Sequence, residues 1–164
     1  MSEPAGVPVK LEGRAELASA AQTLVAGAQR EVLLLSFDFD RALYGSEAFV
    51  EAVKRLALSS DRARIRVLIN QPRTAMQGAH RAIELGRRLP SRIEFRELLD
   101  ERRSTLRADW LIVDGRHLIE RSTPDALFAR QQVDAPREAQ AKAKAFLELW
   151  DESPGCAEFR VLGA

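Results

Sequence analysis

The chain has 164 residues, of which 46% are hydrophobic, and its charges nearly cancel to a formal net charge of +1. This length is typical of one domain, and the apolar content excludes an intrinsically disordered chain. The single cysteine, Cys156, excludes a fold held together by internal disulfides. The longest apolar runs have the length of a strand, and the first residues lack the basic and apolar regions of a signal peptide. We therefore expect a cytoplasmic domain with no membrane partner.

The basic residues are concentrated in the middle of the chain. From Arg62 to Arg107 there are twelve arginines and no lysine against five acidic residues, a local charge of +7. The planar arginine side chain binds phosphates and carboxylates through two parallel hydrogen bonds, so this segment is a candidate surface for an anionic partner. The alternative is that these arginines simply occupy solvent-exposed helix faces.

In chain order, hydrophobic periodicity predicts alternating helices and strands. Residues 1–12 contain Pro4, Gly6 and Pro8 without a periodic apolar pattern, which predicts a flexible N-terminal tail before a single domain over 13–164. Helical spacing over 14–30 is followed at 31–37 by a strand that is apolar on both faces, as expected of a buried strand. The next predicted elements are a helix opened by Ser46, a strand over 62–70, a helix over 73–88 and a strand over 91–96.

The last third of the chain changes to a hairpin pattern. The segments L-R-A-D-W-L-I-V and H-L-I-E-R flank Asp114 and Gly115, which predicts a β-hairpin with its turn at that pair. A helix over 136–150 follows, and E-F-R-V-L at 158–162 is predicted to be an edge strand or an extended tail. This order predicts an α/β domain with a layered mixed β-sheet flanked by helices.

Taken with its flanks, the hairpin resembles one half of a phospholipase D-like domain. Those halves carry H-x-K-x-x-x-x-D, followed six residues later by G-S-x-x-N. Here the same spacing holds R-A-D-W-L-I-V-D, from Arg107 to Asp114, and then R-S-T-P-D, from Arg121 to Asp125. The segment F-L-E-L-W at 146–150 is similar to the end of the helix that closes such halves. The resemblance covers 14–151 and implies a phospholipase D-like half-domain fold.

The resemblance also implies that the motif is degenerate. In active members a histidine attacks phosphorus, and the lysine and asparagine help to hold the phosphate oxygens. In this sequence Arg107 stands at the histidine position and Asp109 at the lysine position, while Asp114 and Ser122 match the pattern. A protonated arginine is neither a nucleophile nor a proton shuttle, and an aspartate repels phosphate. We therefore expect that the protein is not an enzyme and has no catalytic residues.

The residues at these positions form a predicted pocket that has two interpretations. Arg107 and Asp109 lie two apart on a strand, so their side chains share a face and can neutralise each other, with help from Asp114. Alternatively, Arg107, Arg121 and Ser122 still bind a small anion or a phosphate-containing ligand, although Asp109 disfavours a highly charged one. The complete predicted pocket is Arg107, Asp109, Asp114, Arg121, Ser122 and Asp125.

A second, narrower resemblance lies in G-A-H-R-A-I-E-L-G-R-R-L-P-S-R-I-E-F-R, which begins at residue 78 and is similar to an uncharacterised bacterial family of inactive phospholipase D-like proteins. His80 and Arg81 match its G-H-R sequence, although Ala79 is an extra residue within it. On a helix, His80 would share a face with Glu84, and such a pair can bind a metal or relay a proton. A metal site needs a third ligand, so we predict no metal and no cofactor. We expect instead a histidine hydrogen-bonded at a helix–sheet boundary.

Two carboxylates follow the first buried strand in the sequence S-F-D-F-D. Asp38 and Asp40 fall on one face near the end of that strand, where ligands bind in α/β sheets. They either bind a cation or act as an acid/base couple, or they cap the next helix or pair with arginines such as Arg64 and Arg66. We expect the pairing.

Three functions follow from these patterns. The first is a catalytically inactive phospholipase D-like domain that acts as a dimeric binding or regulatory module, because active sites of this fold form between two halves and a single half completes the interface by forming a homodimer. The second is binding of nucleic acid or another phosphoanion through the arginine-rich segment, against which stand the small net charge and the lack of interleaved basic and aromatic residues. The third is a repurposed phosphodiesterase that uses His80, Asp38 or Asp40.

Overall fold

The computed structural model describes residues 5–77 and 80–159, and these residues form one seven-stranded mixed sheet. The strands are β1 (Val9–Glu12), β2 (Glu31–Ser36), β3 (Arg64–Ile69), β4 (Ile93–Glu97), β5 (Asp109–Val113), β6 (His117–Arg121) and β7 (Phe128–Gln132). Their order across the sheet is β1-β7-β6-β5-β2-β3-β4. β2, β3 and β4 are parallel to one another, and every other neighbouring pair is antiparallel.

Helices cover both faces of this sheet. Within the described ranges they are α1 (Gly13–Ala26), α2 (Arg41–Tyr44), α3 (Glu47–Ser59), α4 (Pro72–Met76), α5 (Arg81–Arg88), α6 (Asp100–Arg103), α7 (Pro136–Glu152) and a short 3-10 helix, Ala157–Phe159. α1, α3 and α5 bury the core on one face, and α7 buries a second core on the other. The predicted fold class, a layered mixed sheet flanked by helices, is confirmed. In the described residues, no helix combines the length and the apolar character needed to cross a membrane.

Strand β2 shows why the sheet needs helices on both faces. Val32 and Leu34 belong to the core under α1 and α3, whereas Leu33 and Leu35 belong to the core under α7. All four side chains are at most 1% exposed. Burying a leucine or valine side chain stabilises a fold by about 1.5–3 kcal/mol, so leaving either face of β2 uncovered would lose several such contributions.

Several predicted elements begin or turn at the residues that the sequence analysis identified. Ser46 caps α3, because its hydroxyl accepts a hydrogen bond from the Phe49 amide at 3.2 Å. The hairpin of β5 and β6 turns at Asp114 and Gly115, which both have positive φ angles. α7 begins at Pro136, as the proline signal predicts.

The prediction of a flexible tail over residues 1–12 is wrong for its last four residues. Residues Val9–Glu12 form β1, which pairs antiparallel with β7 and places Leu11 in the core at 8% exposure. Gly13, with a φ of 78°, then turns the chain directly from β1 into α1. Neighbouring prolines and a strand of only four residues hid this element in the sequence. Residues 1–4 lie outside the described residues.

The remaining corrections concern short or edge elements. The helix predicted over 73–88 is two helices, α4 and α5, with His80 in extended conformation before α5. β7 was not predicted, because its sequence F-A-R-Q-Q lacks alternating apolar residues. The C-terminal segment expected as an edge strand or tail instead begins with a 3-10 turn that ends at Phe159, and residues 160–162 lie outside the described residues.

Candidate functional site

The carboxyl end of β2, the start of β5 and the end of β6 meet at one edge of the sheet. Asp109 begins β5 and lies opposite Arg121, which ends β6. Asp38 and Asp40 follow β2, which is the neighbour of β5 on its other side. Arg107 lies just before β5, so five of the predicted site residues lie at this edge, and two more, Ser122 and Asp125, follow β6 there.

The carboxylate of Asp109 is the centre of a buried hydrogen-bond network. Its Oδ2 accepts hydrogen bonds from the hydroxyls of Ser36 at 3.1 Å and Tyr44 at 2.5 Å, and its Oδ1 accepts one from the Phe37 amide at 3.2 Å. Asp109 is only 4% exposed. Burial, followed by the negative charge of Asp109, raises the pKa of Tyr44 well above its usual value, so the tyrosine remains a hydrogen-bond donor.

Arg121 completes this group, which we call the Asp109 cluster (Ser36, Phe37, Tyr44, Asp109 and Arg121). Its Nη2 lies 3.4 Å from Asp109 Oδ1, and its Nη1 donates to the Pro124 carbonyl at 3.1 Å. Its Nε has no hydrogen-bond partner, the one buried side-chain polar atom in this state among the described residues. A cavity of about 10 Å³ adjoins the pair. Because burying a charge is costly unless it is paired, Asp109 and Arg121 depend on each other.

The predicted pairing of Arg107 with Asp109 is wrong. The guanidinium carbon of Arg107 lies 5.0 Å from the centroid of the Phe37 ring, and Arg121 is the arginine that approaches Asp109. The reason is that β5 begins only at Asp109, so Arg107 precedes the strand and does not follow its alternation. An exposed arginine over an aromatic ring keeps its charge available to solvent and ligands.

Asp114 does not belong to the predicted pocket. Its carboxylate accepts hydrogen bonds from the amides of Gln29, Arg30 and Glu31 at 2.8–2.9 Å, so it holds the start of β2. It lies at the opposite end of β5 from Asp109, about 16 Å away for a five-residue step along a strand. Asp114 therefore joins the hairpin turn to β2 and contributes nothing to the Asp109 cluster.

Ser122 and Asp125 are exposed at the rim of the same edge. The carboxylate of Asp125 accepts a hydrogen bond from the Thr123 hydroxyl at 2.7 Å. That hydrogen bond is the main reason that the pKa of Asp125 lies below its usual value, and the charges of Arg107 and Arg121 act in the same direction. Asp125 therefore lies close enough to Arg107 and Arg121 for their positive charges to favour its ionised form.

The structure assigns different roles to Asp40 and Asp38. Asp40 caps α2 through the Ala42 amide at 2.8 Å and pairs with Arg14, also at 2.8 Å. The expectation of capping and arginine pairing is confirmed for Asp40, but the partner is not Arg64 or Arg66, and Asp38 forms no such pair among the described contacts. Arg64 bonds to backbone carbonyls near its own strand, and Arg66 faces Trp150.

Asp38 is half-buried beside other carboxylates. Burial raises the pKa of Asp38, and the negative charges of Asp40 and Asp109 raise it further. The positive charge of Arg121 acts in the opposite direction without cancelling these effects. Asp38 therefore takes up a proton more readily than an ordinary aspartate does.

His80 is a buried N-cap residue and not a member of a helix face. Its Nδ1 accepts a hydrogen bond from the Ala82 amide at 3.2 Å, so its Nε2 carries the proton and donates to the Phe39 carbonyl at 3.0 Å. The ring stacks on Phe39 with centroids 4.2 Å apart. Burial lowers the pKa of His80 from 6.5 to about 4. The predicted hydrogen-bonded histidine at a helix–sheet boundary is confirmed, whereas the helical pairing with Glu84 is wrong.

Arg81, the other residue of the narrower resemblance, is exposed, and its Nη1 lies 4.0 Å from Glu47. It contacts neither the Asp109 cluster nor the β2 carboxylates in any hydrogen bond or ion pair found among the described residues. In the same described residues, no group of three or more His, Cys, Asp and Glu is placed to hold a metal ion.

Among the described residues, at least six of the twelve arginines in the basic segment are paired with carboxylates. Arg87 pairs with Glu84, and Arg96 with Glu94, each at 2.7–2.9 Å. Further pairs, several with acids outside the segment, are Arg81–Glu47, Arg92–Asp61, Arg102–Glu152, Arg103–Glu97 and Arg103–Asp100. These pairs reduce the positive field that the count of +7 predicts for this part of the chain.

A groove of about 570 Å³ lies next to the Asp109 cluster, and we call it the sheet groove. Residues that line it include Val9, Lys10, Trp110, Ser122, Phe128 and Arg130. Phe128 is 45% exposed although Lys10 lies over its ring, with Nζ 3.6 Å from the ring centroid. Lys142 of α7 lies similarly over Trp110, at 4.6 Å. The groove therefore combines accessible aromatic rings with cations.

Sequence reasoning missed several residues of these two sites. Ser36 and Tyr44 were not singled out, although the S-F-D-F-D sequence at the end of β2 contains the serine. Lys10 and Phe128 were missed because both lie on the unpredicted pair β1 and β7. Trp110 was not among the predicted site residues, and no local signal shows that its ring borders a groove.

Comparison with solved structures identifies the fold. The chain matches NucT from Helicobacter pylori with a TM-score of 0.65 and 8% identity over 92% of this chain and 99% of that one. It matches Nuc from Salmonella typhimurium, a phospholipase D family member, with a TM-score of 0.62 and 14% identity over 94% and 100%. The fold is therefore phospholipase D-like.

A family profile gives the narrower assignment. The profile described as Domain of unknown function (DUF7931) matches residues 13–162, and the chain belongs to that family. The chain is also similar to TrmBL2, an archaeal chromatin protein whose structure shows a mode of DNA binding, with a TM-score of 0.63 and 14% identity. That match covers 91% of this chain but 54% of TrmBL2, so the chain spans about half the length of that protein. No curated protein matches the sequence.

Proposed function

We propose that this protein is a catalytically inactive phospholipase D-like domain that acts as a homodimeric binding or regulatory module. The observation that carries the proposal is the buried carboxylate of Asp109, at the position where active halves carry a phosphate-holding lysine. Its oxygens already accept hydrogen bonds from Ser36, Phe37 and Tyr44, and Arg121 approaches it at 3.4 Å. A phosphate entering this cluster would meet a fixed negative charge, and every donor named here except Nε of Arg121 already has a partner.

The other candidate positions support the same conclusion. Arg107 stands where the nucleophilic histidine is expected, and a guanidinium stays protonated at any physiological pH. Both ring nitrogens of His80 are engaged in hydrogen bonds inside the protein. Asp40 caps α2 and pairs with Arg14. His80 and Asp40 are therefore engaged in contacts that hold the structure. None of the three side chains is positioned to attack a phosphoester.

A hydrolysis assay tests the lack of activity. We expect no release of nitrophenol above buffer from bis(4-nitrophenyl) phosphate, with chelator or with added divalent metals. A rate that falls in Asp38→Asn or His80→Ala, but not in the exposed control Asp61→Asn, would contradict inactivity and support a repurposed phosphodiesterase. Far-UV circular dichroism of each variant separates a lost catalytic group from a lost fold.

A second function, binding of nucleic acid or another phosphoanion, is favoured by the sheet groove and its aromatic rings and cations. The similarity to TrmBL2, a chromatin protein with a described mode of DNA binding, supports the same class of partner. Fluorescence anisotropy of labelled oligonucleotides over a salt series tests this function. Affinity that falls steeply with salt supports phosphate contacts, and no binding at low salt would remove this candidate.

A further inference from the structure

The sheet groove adjoins the Asp109 cluster, because Arg121 of that cluster is among the residues that line the groove. We propose that the groove binds single-stranded nucleic acid without cleaving it. This inference rests on the second function proposed above, and it names the surface and the form of nucleic acid. It differs from the sequence-based expectation, which placed anions in the predicted pocket or along the arginine-rich segment.

Two aromatic rings lie on the same face of the sheet and far enough apart for separate bases. Trp110, Glu120 and Arg130 are aligned across β5, β6 and β7, and Phe128 lies two residues before Arg130. Side chains two apart on a strand share a face, so Phe128 projects on the side of Trp110. Two strand spacings across and two residues along separate the two positions by about 12 Å. Two different bases can therefore stack on the rings without competing.

Each ring already has a cation beside it. Lys10 lies over Phe128 and Lys142 over Trp110, with Nζ 3.6 and 4.6 Å from the ring centroids. Aromatic platforms with adjacent basic side chains are the arrangement that binds single strands, because bases stack on the rings while phosphates contact the cations. Lys10 is exposed and can move from its ring to a phosphate at little cost, whereas Lys142 also pairs with Glu120 at 3.0 Å and contributes its charge from that position.

A third ring and cation extend this surface beyond the groove. Arg107 lies over Phe37 at 5.0 Å, and it directly precedes Ala108, which lines the groove. The line of rings therefore runs from β7 across β5 to the end of β2. This placement gives exposed Arg107 a ligand-binding role through a different surface from the one predicted.

The carboxylates near the groove do not cancel its attraction for phosphates. Burial acts to raise the pKa of Glu120, but hydrogen bonds from Arg130 and Lys142 outweigh it and lower that pKa. Glu120 is thus a carboxylate compensated by two cations. Glu12 lies 3.8 Å from Lys10 with both side chains more than half exposed, and such a surface pair contributes little.

The geometry favours a single strand over a duplex. The rings need unpaired base faces, which a duplex keeps inside its own stack. The groove volume of about 570 Å³ is within the range of sites that hold small molecules, which suits one or two nucleotides and not the width of a duplex.

Anisotropy with a fluorescein-labelled ten-nucleotide oligothymidylate, the matching duplex and thymidine monophosphate as a competitor tests the proposal. We expect the single strand to bind at low salt, at least tenfold tighter than the duplex, with log K falling by about 0.7 per phosphate contact as log salt rises. Phe128→Ala and Trp110→Ala should each weaken binding about 5- to 150-fold. Leu58→Ala, at a residue 62% exposed on α3 across the sheet, should leave binding unchanged.

Intrinsic fluorescence gives an independent measurement. The chain has two tryptophans, and Trp150 is only 4% exposed, so quenching on addition of unlabelled oligothymidylate reports on Trp110. Because Phe128 is exposed, its variant remains informative if Trp110→Ala does not fold. If Phe128→Ala left binding unchanged while the double variant Arg62→Gln/Arg88→Gln abolished it, the groove would not be the binding site. The arginine-rich segment would then be the nucleic-acid surface. If thymidine monophosphate competed as tightly as the oligonucleotide, the proposal that the groove recognises a strand of several nucleotides would be wrong. If nothing bound, the nucleic-acid function itself would be wrong.

Discussion

At the scale of single residues, we expect Asp109 to contribute strongly to the stability of the fold, although its position in the sequence does not show this. Its buried charge satisfies three donors and faces Arg121. We expect Asp109→Ala to lower the free energy of unfolding by about 3 kcal/mol, because it leaves Arg121 as an uncompensated buried charge. Denaturant unfolding at pH 7 measures the loss.

Two comparisons distinguish the loss of the Asp109 cluster from a nonspecific loss of stability. Asp125→Ala, an exposed carboxylate only four residues from Arg121, should change the free energy of unfolding by less than about 0.5 kcal/mol. Added formate should stabilise Asp109→Ala more than the wild type, because the freed donors can hold a small carboxylate. Equal effects of formate on both proteins would show that the donors do not form an oxyanion-binding arrangement.

His80 makes the stability of the protein depend on pH. Its folded-state pKa of about 4 lies below its ordinary value of 6.5, so the unfolded chain binds the proton more strongly. Its contribution is therefore fully present above pH 6.5 and is lost as the pH falls toward 4. Between pH 7 and pH 5 we expect His80 to account for a loss of roughly 2 kcal/mol in the free energy of unfolding.

The variant His80→Asn isolates that contribution. Asparagine keeps an N-cap acceptor for α5 but does not titrate, so the variant should lose about 2 kcal/mol less than the wild type between these two pH values. Chemical denaturation at pH 7 and pH 5 measures both proteins under the same conditions. An identical pH dependence in the two would show that His80 does not remain neutral in the folded protein.

At the scale of elements, α5 packs against β4 through a glycine. A Cβ placed on Gly86 would lie 2.3 Å from Cε2 of Phe95, whose ring also packs on Phe39 and Phe159. Alanine normally favours a helix over glycine by about 1 kcal/mol, but overpacking typically costs 1–3 kcal/mol. We expect Gly86→Ala to destabilise the protein by about 1–2 kcal/mol in thermal or chemical unfolding.

Gly27 provides the matched control for this substitution. It ends α1 with a negative φ angle, and a Cβ there would have its nearest contact at 3.8 Å. Gly27→Ala should therefore be neutral or slightly stabilising. If both glycine variants had the same effect, close packing against Phe95 would not explain the requirement at position 86.

The helices and strands that were predicted correctly are those with a strong local sequence pattern. β2 and α3 were predicted because a continuous apolar run and a serine N-cap are visible within a few residues. β7 was missed because its sequence F-A-R-Q-Q lacks alternating apolar residues. β1 was missed because it is stabilised by pairing with β7, and a partner more than a hundred residues away leaves no local pattern. The same long-range pairing creates the sheet groove.

At the scale of the whole molecule, the proposed homodimer makes a direct prediction. A twofold axis brings the same surface of each chain together. We expect size-exclusion chromatography with light scattering to give twice the chain mass at tens of micromolar. Only monomer at that concentration would contradict the dimer, and the exposed control Leu58→Ala should not alter the result.

The sequence by itself determined the layered α/β class, the hairpin and its turn, and the phospholipase D-like spacing, because each depends on residue types at short separations. It also singled out Asp109 and Arg121, but not that they pair with each other. Tertiary structure alone decided that pairing, the burial of His80, the departure of Asp114 from the pocket and the existence of the groove. The physical reason is that charge pairing, desolvation and cavity shape depend on which distant strands become neighbours, and strand order is a property of the complete sheet.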